Sequence, residues 1–360
     1  MLHFRSIKFV VLLAVLLGAV GISAAQESPF AGETIRVLAF EGYTDEALVG
    51  SFEEQYGVTV EEVYVYSNDD IFANLRAGGG ENFDMVTPTS SIWPILIEQG
   101  LVQALDTTKL TNYESLSETM RTLPGATDAD GTPYIVPFSW GADVLVYNTD
   151  VFAEPPASYD VLFDEQYAGQ IAGWDNSFSL AIYALALGYE DPFSMEEEQF
   201  NAVKEALCAQ YPLIRLYPAQ ISDYVNAFQS GEVVVALTGG TEVATALTRE
   251  GVENIDWVIP DEGTLAWVDG LAVTQGARNP ELVHLLIDHL IAPEQQAQLH
   301  IDHAYGLANP EAYALLPEES VALLERQDPA ANADKRFVPW APVADFDLWT
   351  QTWNEIKAGC

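Results

Sequence analysis

The residues of this chain best suited to chemistry are carboxylates beside indoles. In the run LAWVDGLAV (Leu265 to Val273), Trp267 and Asp269 stand two apart. In an extended segment that spacing puts both side chains on one face, so an acid and an aromatic ring could meet one guest together. The pair suits a positively charged nitrogen. A desolvated ammonium needs a carboxylate, because breaking such a buried pair costs roughly 3–5 kcal/mol. An indole face toward a desolvated cation adds about 2 kcal/mol. The plainer assignments are a core Trp in a strand and a turn at Asp-Gly.

A second acid–indole pair is Trp174-Asp175, where Asp175 would serve equally well as the N-cap of the run FSLAIYALAL. Glu41 and Tyr43 leave the end of one strand-like run, and Thr89, Ser90 and Ser91 leave another. All carry groups able to orient a ligand, and each is otherwise a turn or cap residue. Trp140 and Trp340 read as packing.

Other constellations carry less. Gly239-Gly240-Thr241 lacks the spacing and the Lys of a phosphate cradle and reads as a turn opening a helix. His284, His289, His300 and His303 share one helical region, but only His300 and His303 have a near-face spacing. They read as a solvated helix face, with no metal and no cofactor expected. There is no Gly-x-Ser-x-Gly elbow, no His-Glu-x-x-His and no persuasive Cys/His arrangement, which argues against a secreted hydrolase or transferase.

The elements that must position these residues alternate in type. TIRVLAF (Thr34 to Phe40) is β-branched, and a helix follows with Ala47, Leu48, Phe52 and Tyr56 on one stripe and Gly57 as its cap. VTVEEVYVY (Val58 to Tyr66) alternates with period two, Asp69 to Ala77 reads as a short helix, and FDMVTP (Phe83 to Pro88) as a buried strand. This succession implies an α/β fold of mixed sheets with helices on both faces. Ligands of such sheets sit at the carboxyl ends of strands, which selects the loops after Phe40 and Val86.

Extended runs near Ile135 to Val146 and Leu265 to Val273 read as two crossings between lobes, bending at Gly141 and Gly270 as a hinge. The expected lobes are residues 33–139 plus 271–310, and 140–270 plus 311–360. Asn279-Pro280 and Ala292-Pro293 open two helices.

The N-terminus sets the compartment. His3, Arg5 and Lys8 precede an apolar run from Phe9 to Val20 and a small-residue site at Ser23-Ala24-Ala25, the pattern of a cleavable secretory leader over residues 1–25. A run of twelve is too short to span a membrane, so a periplasmic or extracellular product is expected. The remaining 335 or so residues exceed what one core usually serves.

The chain carries 54 acidic against 14 basic residues, a formal charge of −40. Nucleic acid and anionic membranes are poor partners for that surface, whereas a cleft in it concentrates cations. A uniformly acidic surface is also how proteins of saline habitats stay hydrated. The two cysteines, Cys208 and Cys360, are too few for a disulfide scaffold or a four-Cys zinc site. In an oxidising compartment they are free to pair, if geometry permits.

With these residues in view, the sequence resembles the bacterial extracellular solute-binding proteins of the spermidine/putrescine type, from about Ile35 to Ala358. The stretches that carry the resemblance include VLAFEGYTDEALVGSFEEQYGVTVEE, DMVTPTSS, LVQALDTTKLTNYESL, PYIVPFSWGADVLVYNTD, GEVVVALTGGTEVA, AWVDGLAV, LLIDHLIAPEQQAQ and WNEIKAG. It implies two α/β lobes closing on a ligand, delivery to an ABC permease of the inner membrane, a monomer, and no catalysis. It also implies polyamine capture by carboxylates and stacked aromatics. Trp267 and Asp269 match the family's aromatic-x-Asp pair, Asp175 its acid in the second lobe, and Thr89, Ser90 and Ser91 its hydroxyl-bearing loop.

The chain departs from the pattern at three places. Glu41-Gly42-Tyr43 replaces Asn-Trp-Thr or Asn-Trp-Ser, a second family carboxylate falls near Phe178, and a family tryptophan is replaced near Gly239. The guests consistent with these residues are a polyamine, a shorter diamine, another small cationic amine, or a zwitterion such as an amino-acid derivative or a betaine. An anion or ferric complex is disfavoured by the scarcity of basic residues.

Overall fold

The computed structural model describes residues 28–78, 81–329 and 331–360. The leader expected over residues 1–25 lies outside them. The strands are β1 (Thr34–Ala39), β2 (Thr59–Tyr64), β3 (Met85–Val86), β4 (Val136–Ala142), β5 (Val144–Asn148), β6 (Ile171–Ala172), β7 (Ile214–Leu216), β8 (Val235–Thr238), β9 (Ile255–Val258), β10 (Thr264–Val273), β11 (Gly306–Leu307) and β12 (Phe337–Pro339).

They form two mixed sheets, each the centre of one lobe. The first runs β11-β4-β10-β3-β1-β2, with β12 beside β10, and the second runs β7-β6-β8-β5-β9. In the first, β2 and β3 flank β1 in parallel, while β10 is antiparallel to β3 and β4. In the second, β6 lies parallel between β7 and β8. The strands that read as continuous apolar runs are those covered by helices on both faces: Val37, Leu38 and Ala39 of β1 and all of β8 are buried.

The helices follow their start and stop signals. Glu46–Tyr56 ends on Gly57, whose φ of 67° is the left-handed conformation of a helix cap. Its N–H reaches the Glu53 carbonyl at 2.8 Å. Pro280–Leu290 starts with Pro in its first turn, and the Asn279 side chain accepts from the Leu282 N–H at 3.2 Å. Leu282, Leu286 and Leu290 of its apolar stripe are buried against the sheet.

Between the sheets the chain passes at Asp143, joining β4 to β5, and returns between β9 and β10. The passages are stitched together: the Asp143 N–H donates to the Leu265 carbonyl at 3.0 Å, and the Thr264 hydroxyl to the Asp143 carbonyl at 2.6 Å. A bulge in the β4–β10 ladder lies between Asp269 and Gly270, opposite Pro137, a residue with no N–H to give the ladder.

Three expectations are corrected. Gly141 and Gly270, expected at the bends between lobes, lie inside β4 and β10 of the first sheet: Gly141 lies under the Trp267 ring, and a Cβ at Gly270 would approach Trp93 to 3.0 Å. Both are glycine because side chains crowd the backbone there. Asp175 caps no helix; the helix is Ser179–Ala186, and the Asn176 side chain accepts from the Phe178 N–H at 2.9 Å. Nor are the histidines a solvated face. His284 and His300 are buried, with ring nitrogens bonded to the backbone at Pro280 and Asp106, and at Tyr305 and Ser320.

The C-terminal helix Phe346–Lys357 packs on helix Glu197–Gln210, and Cys208 and Cys360 form a disulfide between that second-lobe helix and the chain end, with Cα atoms 5.9 Å apart.

Candidate functional site

Loops at the carboxyl ends of parallel strands from both sheets converge on one partly open cavity of about 800 Å³, mouth included. Phe40, Glu41 and Tyr43 follow β1, Thr89 follows β3, Trp174 to Asn176 follow β6, Pro218 to Gln220 follow β7, and Gly239 and Glu242 follow β8. Trp267 and Asp269 come from the middle of β10. This is where open α/β sheets place ligands, here doubled by two lobes facing each other.

Asp269 is 5% exposed. The Tyr43 hydroxyl donates to its Oδ2 at 2.5 Å and stands 2.6 Å from the Ser139 hydroxyl, while Oδ1 has no hydrogen-bond partner among the described residues. Burial pushes its carboxyl up to about 7, against the opposing pull of the Thr89 and Tyr43 hydroxyls. Trp267 projects to the same side of β10, its ring edge against Tyr305 at a centroid distance of 5.7 Å, and its N–H donates to the Gly239 carbonyl in the other lobe.

Glu242 opens helix Glu242–Arg249. The residue keeps some surface toward the cavity, yet its Oε2 is enclosed without a partner. Burial raises its carboxyl to about 7; the backbone N–H of its own helix start and His303 pull the other way, and Glu41 and Asp269 reinforce the rise.

The other two acids are engaged. Glu41 Oε2 accepts from the Ile221 N–H at 3.3 Å, across the cavity at the start of helix Ile221–Gln229. Asp175 Oδ1 accepts from the Trp353 indole at 2.9 Å and from the Lys357 ammonium.

Thus Trp267, Asp269, Asp175, Glu41, Tyr43 and Thr89 are brought together. Ser90 and Ser91 are not: the Ser90 hydroxyl turns to the Trp340 carbonyl at 3.4 Å, and Ser91, fully buried, accepts from Asn68 at 3.1 Å. Trp140 packs outside the cavity, its N–H on the Leu307 carbonyl, whereas Trp340 stacks on Phe178 at 4.6 Å and lines the cavity as well.

Sequence reasoning missed Glu242, Phe40, Tyr66, Tyr224 and Tyr305. Glu242 was within reach, since it follows a strand end by the same rule that selected the loops after Phe40 and Val86. At Gly239, where the resemblance expects an indole, a Cβ would stand 2.6 Å from the ring of Trp174. The neighbouring loop therefore supplies the aromatic surface.

The lining holds four carboxylates and eight aromatic rings, and no Lys, Arg or His. Carboxylate oxygens without partners beside ring faces can hold a desolvated cation. No cluster of His, Cys, Asp and Glu among the described residues could hold a metal ion.

Comparison with known proteins agrees. The model of a family described as bacterial extracellular solute-binding protein matches residues 47–333. The putrescine-binding periplasmic protein PotF of Escherichia coli (strain K12) is 26% identical, covering 95% of this chain and 94% of that protein. The spermidine/putrescine-binding periplasmic protein of the same organism is 27% identical, covering 95% and 96%. A putative spermidine/putrescine ABC transporter structure from Listeria monocytogenes superposes with a TM-score of 0.80 at 23% identity, covering 90% of this chain and 98% of that one. Since the family model spans most of the sequence and the two-lobed architecture recurs in a solved structure, this chain belongs to the bacterial extracellular solute-binding proteins.

Proposed function

We propose that the chain is the soluble receptor of an ABC importer, that it captures a small cationic amine of the polyamine class, and that it performs no chemistry on it. One observation carries the reading: every charged side chain lining the cavity is a carboxylate, and of the four only Asp175 has a cationic partner, while Asp269 and Glu242 each bury an oxygen that no group bonds. Taking two such groups out of water is costly unless positive charge joins them. Trp267, Trp174, Trp340 and the tyrosines supply the walls for an alkyl chain. The names of the relatives point to the same ligand class.

In this reading Asp269 and Glu242 hold ammonium groups, Trp267 covers the methylenes, and Tyr43 and Thr89 orient Asp269. Since β4 and β10 lie wholly in the first sheet, lobe 1 takes residues 33–142 plus 264–310 in place of the 33–139 plus 271–310 expected, lobe 2 takes 143–263 plus 311–360, and the paired passages at Asp143 and before β10 form the hinge. A closed form, which a permease of the inner membrane would recognise, gains population only through the contacts a ligand makes there. The leader-like N-terminus supports a periplasmic location, and among the described residues no helix is long and apolar enough to cross a membrane. The receptor acts as a monomer.

A zwitterion fits less well, because Glu41 already occupies the helix-start N–H that a guest carboxylate would seek. Titration followed by intrinsic tryptophan fluorescence, over putrescine, spermidine, betaines, amino acids and common anions, tests the reading. Saturable binding of amines alone supports it; uptake of anions or betaines in their place overturns it.

A further inference from the structure

Resting on the cation reading above, we infer that Lys357 is a built-in counter-ion that lowers the positive charge the cavity accepts from its guest, by holding one of the four lining carboxylates. Asp175 lines the cavity beside Trp174, yet its Oδ1 already accepts from the Lys357 ammonium and from the Trp353 indole at 2.9 Å. Lys357 and Trp353 are four apart on helix Phe346–Lys357, so one helix face delivers both donors. The helix end is fixed from beyond: Cys360 is bonded to Cys208 of helix Glu197–Gln210.

Asp175 and Lys357 each keep only 27% of their side-chain surface exposed, so water screens the pair weakly. A free ammonium must displace one that is tethered at high effective concentration.

The remaining charges complete the argument. The Ile221 N–H that Glu41 accepts from is neutral, so Glu41, Asp269 and Glu242 keep their charge for a guest, and Asp175 alone of the four carboxylates is already neutralised. An ammonium seated beside Trp174 and Asp175 would enter a partly desolvated space whose counter-charge is taken, which is disfavoured. The determinant of ligand charge therefore lies on the last helix of the chain, outside the loops that touch the guest.

The test is calorimetric titration of putrescine and spermidine into the full chain and into Lys357→Met. Freed of its partner, Asp175 should raise the spermidine-to-putrescine affinity ratio at least tenfold; an unchanged or lower ratio overturns the inference. Lys357→Gln, which keeps a donor but no charge, gives the same comparison should the methionine variant fail to fold. Adding Asp175→Asn to Lys357→Met should return the ratio to the wild-type value, and a gain that persists refutes Asp175 as its source. If the wild-type chain binds neither amine, the cation reading itself fails, a result separate from an unchanged ratio in a chain that binds both.

Discussion

At the scale of residues, the site trades stability for affinity. Burial holds Asp269 near 7, against the 3.8 of an ordinary aspartate. A carboxyl raised on folding binds protons more tightly in the folded state, so its contribution to stability is whole below about pH 4 and is lost as pH rises through about 7. Asp269→Asn should therefore raise the unfolding free energy of the unliganded chain at pH 8 by about 1–2 kcal/mol, less than the full shift implies because lobe opening hydrates the group. The same variant should weaken amine binding at least tenfold. Melting at pH 8 and pH 5, paired with titration, checks both; an asparagine variant that is less stable and binds normally would remove Asp269 from the site.

Binding has its own pH dependence. Asp269, with Tyr43, Thr89 and Tyr305 around it, and Glu242, facing His303 and Glu41, both sit near 7, and a bound ammonium must pull both down. Binding then releases protons, and affinity should be flat above about pH 8 and fall below pH 7 by up to about tenfold per unit for each carboxyl. Titrations in buffers of different ionisation enthalpy would expose the released protons. A flat profile from pH 5 to 8 would contradict the assignment of these two acids. Asp269 and its indole were legible in the sequence because a two-residue spacing on a strand fixes a common face. Ser90 and Ser91 were misjudged because loop hydroxyls bond equally well to backbone or to Asn68, and no spacing rule separates those uses.

At the scale of elements, strand ends and caps were legible and tertiary closures were not. The helix over Glu46–Tyr56, its Gly57 cap and the Pro-initiated helices follow from local rules. Local periodicity does not report what covers a helix, which is why the four histidines looked solvated, whereas His284, His289 and His300 bond to backbone and His303 to the Asp45 carboxylate. Gly141 shows the same limit: its need for no side chain arises from Trp267, 126 positions away on the partner strand.

The disulfide likewise needed coordinates. Cys208 and Cys360 are 152 positions apart, and a cross-link over so long a loop restricts the unfolded chain by about 4–5 kcal/mol in the entropic account. Cys360→Ser should lower stability by about 2–5 kcal/mol in denaturant titration. A loss below about 1 kcal/mol would mean that the C-terminal helix is anchored by packing and by Lys204–Glu355 instead.

At the scale of the whole molecule, the formal charge of −40 acts over longer range than any contact. If it steers amines toward the cleft, raising salt from about 50 to 500 mM should lower the association rate about tenfold and change the dissociation rate little. Stopped-flow tryptophan fluorescence measures both; a salt-independent association rate would assign the surface charge to hydration alone. The two-lobed plan was legible because length, strand–helix alternation and paired extended runs all pointed to it.

The placement of Glu41 at the start of helix Ile221–Gln229, and of Glu242 within the first turn of its own helix, has a broader consequence. Helix starts are electropositive and ordinarily favour anions. With those two glutamates changed to neutral residues, the same backbone would turn amide dipoles on its guest and weaken the preference for cations that Asp269 would still carry. Part of the polarity of selection in this scaffold thus resides in side chains that cover helix starts, where the bare backbone would favour the opposite sign.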